Sequence, residues 1–411
     1  MEDTKLLLKN CNIILLDKIE KGSLLIENGI IKEINPSETN DSNSIDCNGL
    51  YVSPGFVDVH IHGAGGYDTM DGTFEAINEI AKTICKYGTT SFTPTTMTMS
   101  TNDILKSMIS IKKAKLEGTD GSIVLGAHLE GPFISPSAIG AQNPNFLIAP
   151  SFENFKSMTG DAMDSVVSIT MAPEVAGAKE LASQLTDMGI RCSIGHTKAT
   201  YEEAIEGIKC GFCHSTHLFN AMTGFTHREP GVVGATFESD ITTETISDGI
   251  HISYPSLRIA YKQKGIDKTL LVTDAMCACG MPDGTYALGG QPVTVKNGAA
   301  RLENGALAGS VLTLNKAVKN ILDNSEYKLY EIIKMASYNG AKFCKVDDKK
   351  GQIKENFDDD TADDYKVDIQ KSTSENGDKT TFVFDVTNTE IPHHGNITLI
   401  KHADPSHADW E

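Results

Sequence analysis

The chain has 411 residues, 40% of them hydrophobic and 22% charged, ordinary proportions for a globular protein with ample core. Its formal charge of −19 argues against a nucleic-acid partner, because phosphates need a basic surface. No run approaches the roughly 18 apolar residues of a membrane span. The length predicts two or three domains, or one large α/β barrel with an appendage.

The first residues carry early acids and no long apolar stretch, which argues against a signal peptide. Nine cysteines, an odd number in a chain of this size, read as reduced thiols of a cytoplasmic protein. Residues 1 to about 52 are short alternating segments with turn residues between them, a small β unit in which Asn28-Gly29 and Asn48-Gly49 are hairpin signals. From Pro54 the pattern changes. "FEAINEIAKTICKYG" has helical spacing closed by Gly88, and "TTSFTPTT" follows as a strand. "AKELASQLTDMG", "YEEAIEGIKCG" and "YPSLRIAYKQKG" predict further helices, each followed by a strand: "IRCSIGH", "FCHSTH" and "TLLVTDA". Repeated helix and strand units over some 290 residues point to a parallel sheet. Its length suits a (β/α)8 barrel, with a doubly wound sheet as the competitor. From about 346 the chain turns acidic, notably at Asp358–Asp364, and then offers two more β-type runs, "TFVFDVTN" and "NITLIK".

The chemistry lies at the predicted strand ends. "PGFVDVHIHGAGG" delivers His60 and His62, and "GAHLEGPF" delivers His128 and Glu130. His196, His217 and Asp274 close three later strands. Residues i and i+2 of a strand share a face. In a parallel barrel all C-terminal strand ends gather on one rim, where active sites lie. Imidazole and carboxylate are the donors that Zn²⁺ or Fe²⁺ takes. His128 reads as a supporting or core histidine rather than a ligand. His214 is out of phase with His217 by strand parity and is expected to face the helices. "CGFCH", Cys210 to His214, matches a haem-attachment spacing but crosses a helix-to-strand junction. His393, His394, His402 and His407 lie in a polar tail and read as solvated. His227 with Arg228, and Asp248 with His251, read either as an anion site or as surface ion pairs.

With these motifs in hand the sequence resembles the amidohydrolase superfamily, and within it the deacetylases of amino-sugar phosphates. The matching stretches, over residues 54 to about 345, are "PGFVDVHIHGAGG", "HLEGPFISPSAIGAQNPN", "SIGHTKATYEEA", "THLFNAMTGFTHREPGVVGA", "ISDGIHI", "LVTDAM" and "NGALAGSVLTLNKAV". The resemblance implies a (β/α)8 TIM-like barrel over 54–345, with a small β-sandwich domain formed by residues 1–53 and part of 346–411. It implies hydrolysis of the acetamide of N-acetyl-D-glucosamine 6-phosphate in amino-sugar catabolism. The alternatives are a related hydrolase of another N-acetylated sugar phosphate, or a non-catalytic scaffold on the same fold.

Glu130, His196 and His217 look like ligands of the main metal, with Glu130 standing where many amidohydrolases have a carboxylated lysine. His60 and His62, with Asp274 nearby, look like ligands of a second metal, so one or two ions of Zn²⁺ or Fe²⁺ are expected per subunit. Asp274 looks like the general base. Ala141, Gln142, Asn220, Ala221, Arg228, Asp248, His251, Leu307, Ala308 and Gly309 look like substrate contacts, with Gln142 where some relatives have His. Family members can take phosphate contacts from the neighbouring subunit through the positions of Arg228 and His251, which implies a homodimer with a shared active site. The C-terminal segment departs from the family at Asn356, where a glycine is expected; "TFVFDVTN" and "NITLIK" are expected to pair with the N-terminal strands.

Overall fold

The computed structural model describes residues 5–37 and 43–355, together with the backbone of 365–373, 380–388 and 397–400. The acidic run and the four tail histidines lie outside the described residues. Eight parallel strands form a nearly closed barrel: Phe56–Ile61, Thr89–Thr96, Ala127–Glu130, Val166–Met171, Arg191–Ile194, Phe212–Ser215, Thr242–Ile246 and Thr269–Val272. The eighth meets the first where Asp274 N donates to His60 O at 2.8 Å and Ala275 bridges Ile61. Helices alternate with the strands, as the sequence pattern predicts. Thr73 starts the helix Phe74–Cys85 by accepting from Ala76 N at 3.1 Å, and Gly88, at φ +83°, completes the turn into the next strand.

Strand alternation sorts the barrel into an apolar outside and a polar inside. Along the third strand Ala127 and Leu129 join the apolar layer between sheet and helices, with Phe92, Ile111, Phe155 and Ile169. His128 and Glu130 point the other way, toward the axis. A second apolar layer, around Phe56, Leu270, Val318 and Ile332, covers the opposite flank.

A separate smaller sheet packs around Leu8, Ile13, Leu24 and Val52. Its first strand, Lys5–Ile14, pairs antiparallel with Ile19–Glu27, which turns at Asn28-Gly29 into Ile30–Ile34. Both turn residues have positive φ, 51° and 82°, the geometry that an Asn-Gly hairpin supplies. Asn48-Gly49 has the same dihedral signs but makes no hairpin. Its flanking strands, Ser44–Asp46 and Tyr51–Pro54, both run parallel to Lys5–Ile14, so the turn is a jog within one strand direction. Ile397–Ile400 adds antiparallel to Tyr51–Pro54, and Thr380–Asn388 and Tyr365–Thr373 extend the sheet beyond it. A three-stranded antiparallel sheet, Gly284–Leu288, Gln291–Lys296 and Ala299–Leu302, lies beside the barrel mouth. No helix of the described residues is long and apolar enough to cross a membrane.

Candidate metal centre and active site

The strand ends meet as two adjacent donor sets, His60 with His62 and Asp274, and Glu130 with His196 and His217. In each set one ligand atom per residue lies within 4.8 Å of the others. All six side chains are buried. Three donor residues stand just past their strands with positive φ: His196 at 47°, His217 at 27° and Asp274 at 48°. Such backbone is costly for a residue with a Cβ. Here each kink coincides with a side chain carried into the mouth.

Glu130 joins the sets. Its Oε1 lies 3.1 Å from Nε2 of both His196 and His217, and its Oε2 lies 3.2 Å from His62 Nε2. His62 Nε2 is also 3.3 Å from Asp274 Oδ1. Nδ1 of His62 faces Thr95 O at 3.2 Å, and Nδ1 of His196 faces Ala138 O at 3.0 Å. A carbonyl accepts only, so both Nδ1 atoms donate. In the neutral ring each Nε2 then presents a lone pair. Nε2 atoms of His196 and His217 stand 3.2 Å apart, both facing a carboxylate oxygen. Three lone-pair atoms so close repel unless a proton or a cation lies among them. His60 Nε2 is buried with no hydrogen-bond partner, a further unmet valence. These donors fit a divalent cation of the imidazole- and carboxylate-binding kind.

Electrostatics agree. Burial disfavours charge on His60, but the carboxylates of Glu244, Asp274 and Glu130 outweigh it and hold its pKa well above the ordinary histidine value. His62 is likewise penalised by burial yet raised to about 9 by Asp274 and Glu130. Burial pushes Glu130 and Asp274 up, and the neighbouring imidazoles more than reverse that, leaving both below the usual carboxylate range. Without a cation His60 and His62 therefore hold protons, and a cation must displace them.

His128 lies deeper, between Thr170 Oγ1 at 2.8 Å and Thr95 Oγ1 at 3.3 Å. Burial drives its pKa down to about 3, so it is a neutral core histidine. His214 differs from the parity expectation. Cys192 pairs with Phe212 and Ser193 with His214, a one-residue register shift ahead of both histidines. The parity count between them fails because His217 stands past the strand end at φ 27°, where strand alternation no longer applies. His214 turns inward and contacts Glu244 Oε1 at 3.1 Å. Glu244 itself escaped the sequence reading. The available signal was a lone acid on the alternating run "TTETI", where a charge sits badly in a buried strand.

Above the donors opens a cavity of about 430 Å³. Of the expected substrate contacts, Ala141, Gln142, Asn220, Ala221, His251, Leu307 and Gly309 line it, beside His62, Glu130, His196, His217 and Asp274. Three do not. Ala308 is fully buried among Met97, Met276 and Leu288. Asp248 lies behind His251, its Oδ2 2.7 Å from Nδ1 of that ring. Arg228 is exposed on the surface and does not reach the cavity of its own chain. Gln142 lines the wall with both ends of its amide engaged: Nε2 donates to Glu130 Oε2 at 2.6 Å, and Thr98 N donates to Oε1 at 2.7 Å.

A parallel barrel with imidazoles and carboxylates converging on its C-terminal rim, under an open cavity, defines the class of metal-dependent barrel hydrolases. The chain belongs to the amidohydrolase family, whose model matches residues 51–363. It is 40% identical over 319 residues to an N-acetylglucosamine-6-phosphate deacetylase of Lysinibacillus sphaericus, covering 77% of this chain and 82% of that relative. Among solved structures it is similar to N-acetylglucosamine-6-phosphate deacetylase from Pasteurella multocida, with TM-score 0.82 and 32% identity over 86% of this chain and 93% of the other. A mutant of the Mycobacterium smegmatis deacetylase, in complex with N-acetyl-D-glucosamine-6-phosphate, has TM-score 0.78 and 28% identity, covering 84% of this chain and 91% of that one.

Proposed function

We propose that this protein hydrolyses the acetamide of N-acetyl-D-glucosamine 6-phosphate to D-glucosamine 6-phosphate and acetate, as a cytoplasmic enzyme of amino-sugar catabolism. The observation that carries the reading is the donor cluster on the floor of a cavity large enough for a sugar phosphate, in a chain whose relatives bear that activity in their names. Glu130, His196 and His217 would hold one Zn²⁺ or Fe²⁺, and His60, His62 and Asp274 a second. A divalent cation there supplies a Lewis acid that makes water a usable nucleophile near neutral pH and polarises an amide carbonyl.

The remaining roles belong to the chain. Asp274, on the cavity floor, accepts a proton from the attacking water at a carboxylate oxygen and returns it to the departing amine nitrogen. The water oxygen ends in acetate and the C–N bond breaks toward the sugar. His251, fixed by Asp248, stands on the wall to hydrogen-bond the reacting amide. Asn220 and Ala221 border the sugar, and Gln142, which ties Glu130, borders it from the other side. Phosphate contacts remote from the amide align it for attack. Arg228 is exposed on its own chain, and we place it against the phosphate in the site of a second subunit of a homodimer.

The test is acetate release from N-acetyl-D-glucosamine 6-phosphate alongside metal content, with the C4 epimer as a parallel substrate. Stoichiometric acetate and amine with at least one metal per chain support the reading. Preference for the epimer would move it to another sugar phosphate. No acetate and less than one metal per chain would leave a scaffold. Arg228→Ala is expected to raise KM for the phosphorylated sugar by about tenfold with kcat nearly unchanged, the loss of one charged hydrogen bond. An equal effect on unphosphorylated N-acetylglucosamine would show that Arg228 does not read the phosphate.

A further inference from the structure

We infer that Glu244 is a positioning residue that decides whether His60, His62 and Asp274 take up a cation of their own. This rests on the reading that both donor sets hold metal. Glu244 lies in the seventh barrel strand, 2% exposed. Its Oε2 accepts from His217 N at 3.1 Å and faces His60 Nδ1 at 2.9 Å, and its Oε1 faces His214 Nε2 at 3.1 Å. His214 is itself tied through Nδ1 to Thr242 Oγ1 at 2.6 Å. No lysine or arginine pairs with Glu244 among the described residues. A carboxylate buried this deeply is costly unless its hydrogen bonds are complete. Here they are, and every one runs to a histidine or to the backbone of one.

The consequence falls on His60. A carboxylate at Nδ1 fixes the tautomer that donates from Nδ1, turns Nε2 toward the cluster and raises its basicity. That Nε2 is wholly buried, has no hydrogen-bond partner, and points between Glu130 Oε1 at 3.5 Å and Asp274 Oδ1 at 3.6 Å. Among the described residues no other hydrogen bond to the His60 ring selects this orientation, although the ring also packs edge-on against His128. The other donor set does not depend on Glu244 in the same way. His196 has its own anchor at Ala138 O, and Glu244 reaches His217 only at the backbone N–H. Glu244 thus serves the His60 position selectively, although it lies beneath both sets.

The test titrates metal-stripped protein with Zn²⁺ by calorimetry, with metal content after dialysis as a second readout. The wild type is expected to take up two ions. Glu244→Gln keeps the shape but removes the charge, and is expected to weaken one of the two binding events 10- to 100-fold, the usual cost of losing such a partner, while the other holds. His60→Asn should lose the same event, and adding Glu244→Gln to it should change nothing further. Two unchanged events in Glu244→Gln would overturn the inference, as would a further loss in the double variant. A single event in the wild type would remove the second position, and the inference with it. Should Glu244→Gln fail to fold, His214→Gln carries the same test by loosening the carboxylate, and unchanged binding of both ions there would overturn the inference.

Discussion

Asp274→Asn is expected to lower kcat for acetate release by about 10³-fold or more, within the range that a general acid–base residue supplies. The substitution is isosteric, and the seam between the eighth and first strands runs through the Asp274 backbone, whose N–H donates to His60 O and whose carbonyl accepts from Ser310 N. Those bonds survive, so the fold should too. The amide cannot accept the proton of the attacking water, which is the function assigned to this side chain. Glu130, His196 and His217 are untouched, so at least one metal per chain should remain. Activity within tenfold of the wild type, at equal metal content, would transfer the base role elsewhere.

The second large effect follows from stripping the metal. Chelation is expected to abolish turnover and to expose a pH dependence that the loaded protein lacks. His62 has a pKa of about 9 in the metal-free fold, against an ordinary value of 6.5. A histidine raised on folding stabilises the fold fully below its unfolded pKa and loses that contribution as pH rises through the folded one. The metal-free protein should therefore lose stability between about pH 6.5 and pH 9. Above that range the carboxylates of Glu130 and Asp274 face neutral imidazoles. A bound cation replaces those protons, so Zn²⁺ should flatten the dependence. Thermal unfolding at several pH values, with and without Zn²⁺, reads this directly. A metal-free Tm that is constant across the window would mean that His62 is not held protonated by its carboxylates.

The two expectations bear on different parts of the site. Asp274, which lines the cavity, is the residue to which the proposed function gives the chemistry. The raised histidines belong to the electrostatics that keep the donors assembled. Gln142 connects the two, since it borders the cavity and also ties Glu130 Oε2.

Much of this was legible before folding was considered. The strand Thr89–Thr96 coincides with "TTSFTPTT", and the helix Ala178–Asp187 falls within "AKELASQLTDMG". These are local periodicities, and the residues that carry them are neighbours in the chain. The pairing of His60 with His62, and of His128 with Glu130, likewise follows from the two-residue repeat of a strand. Parity went astray at His214, because the count ran on to His217, which lies past the strand end at φ 27° where side chains no longer alternate. It was silent on Glu244, because a single acid on an alternating strand does not name its partners.

The sequence by itself placed His60, His62, Glu130, His196, His217 and Asp274 at strand ends and marked the apolar helix faces that bury the barrel's outside. Each depends only on residues a few positions apart. The tertiary structure alone decided that Glu130 stands 3.1 Å from histidines 66 and 87 residues away, that Ala308 is walled off while its neighbours face the cavity, and that His60 is held from below by Glu244. Those distances depend on barrel closure and strand stagger, which are set by packing across the whole chain rather than by any short stretch of it.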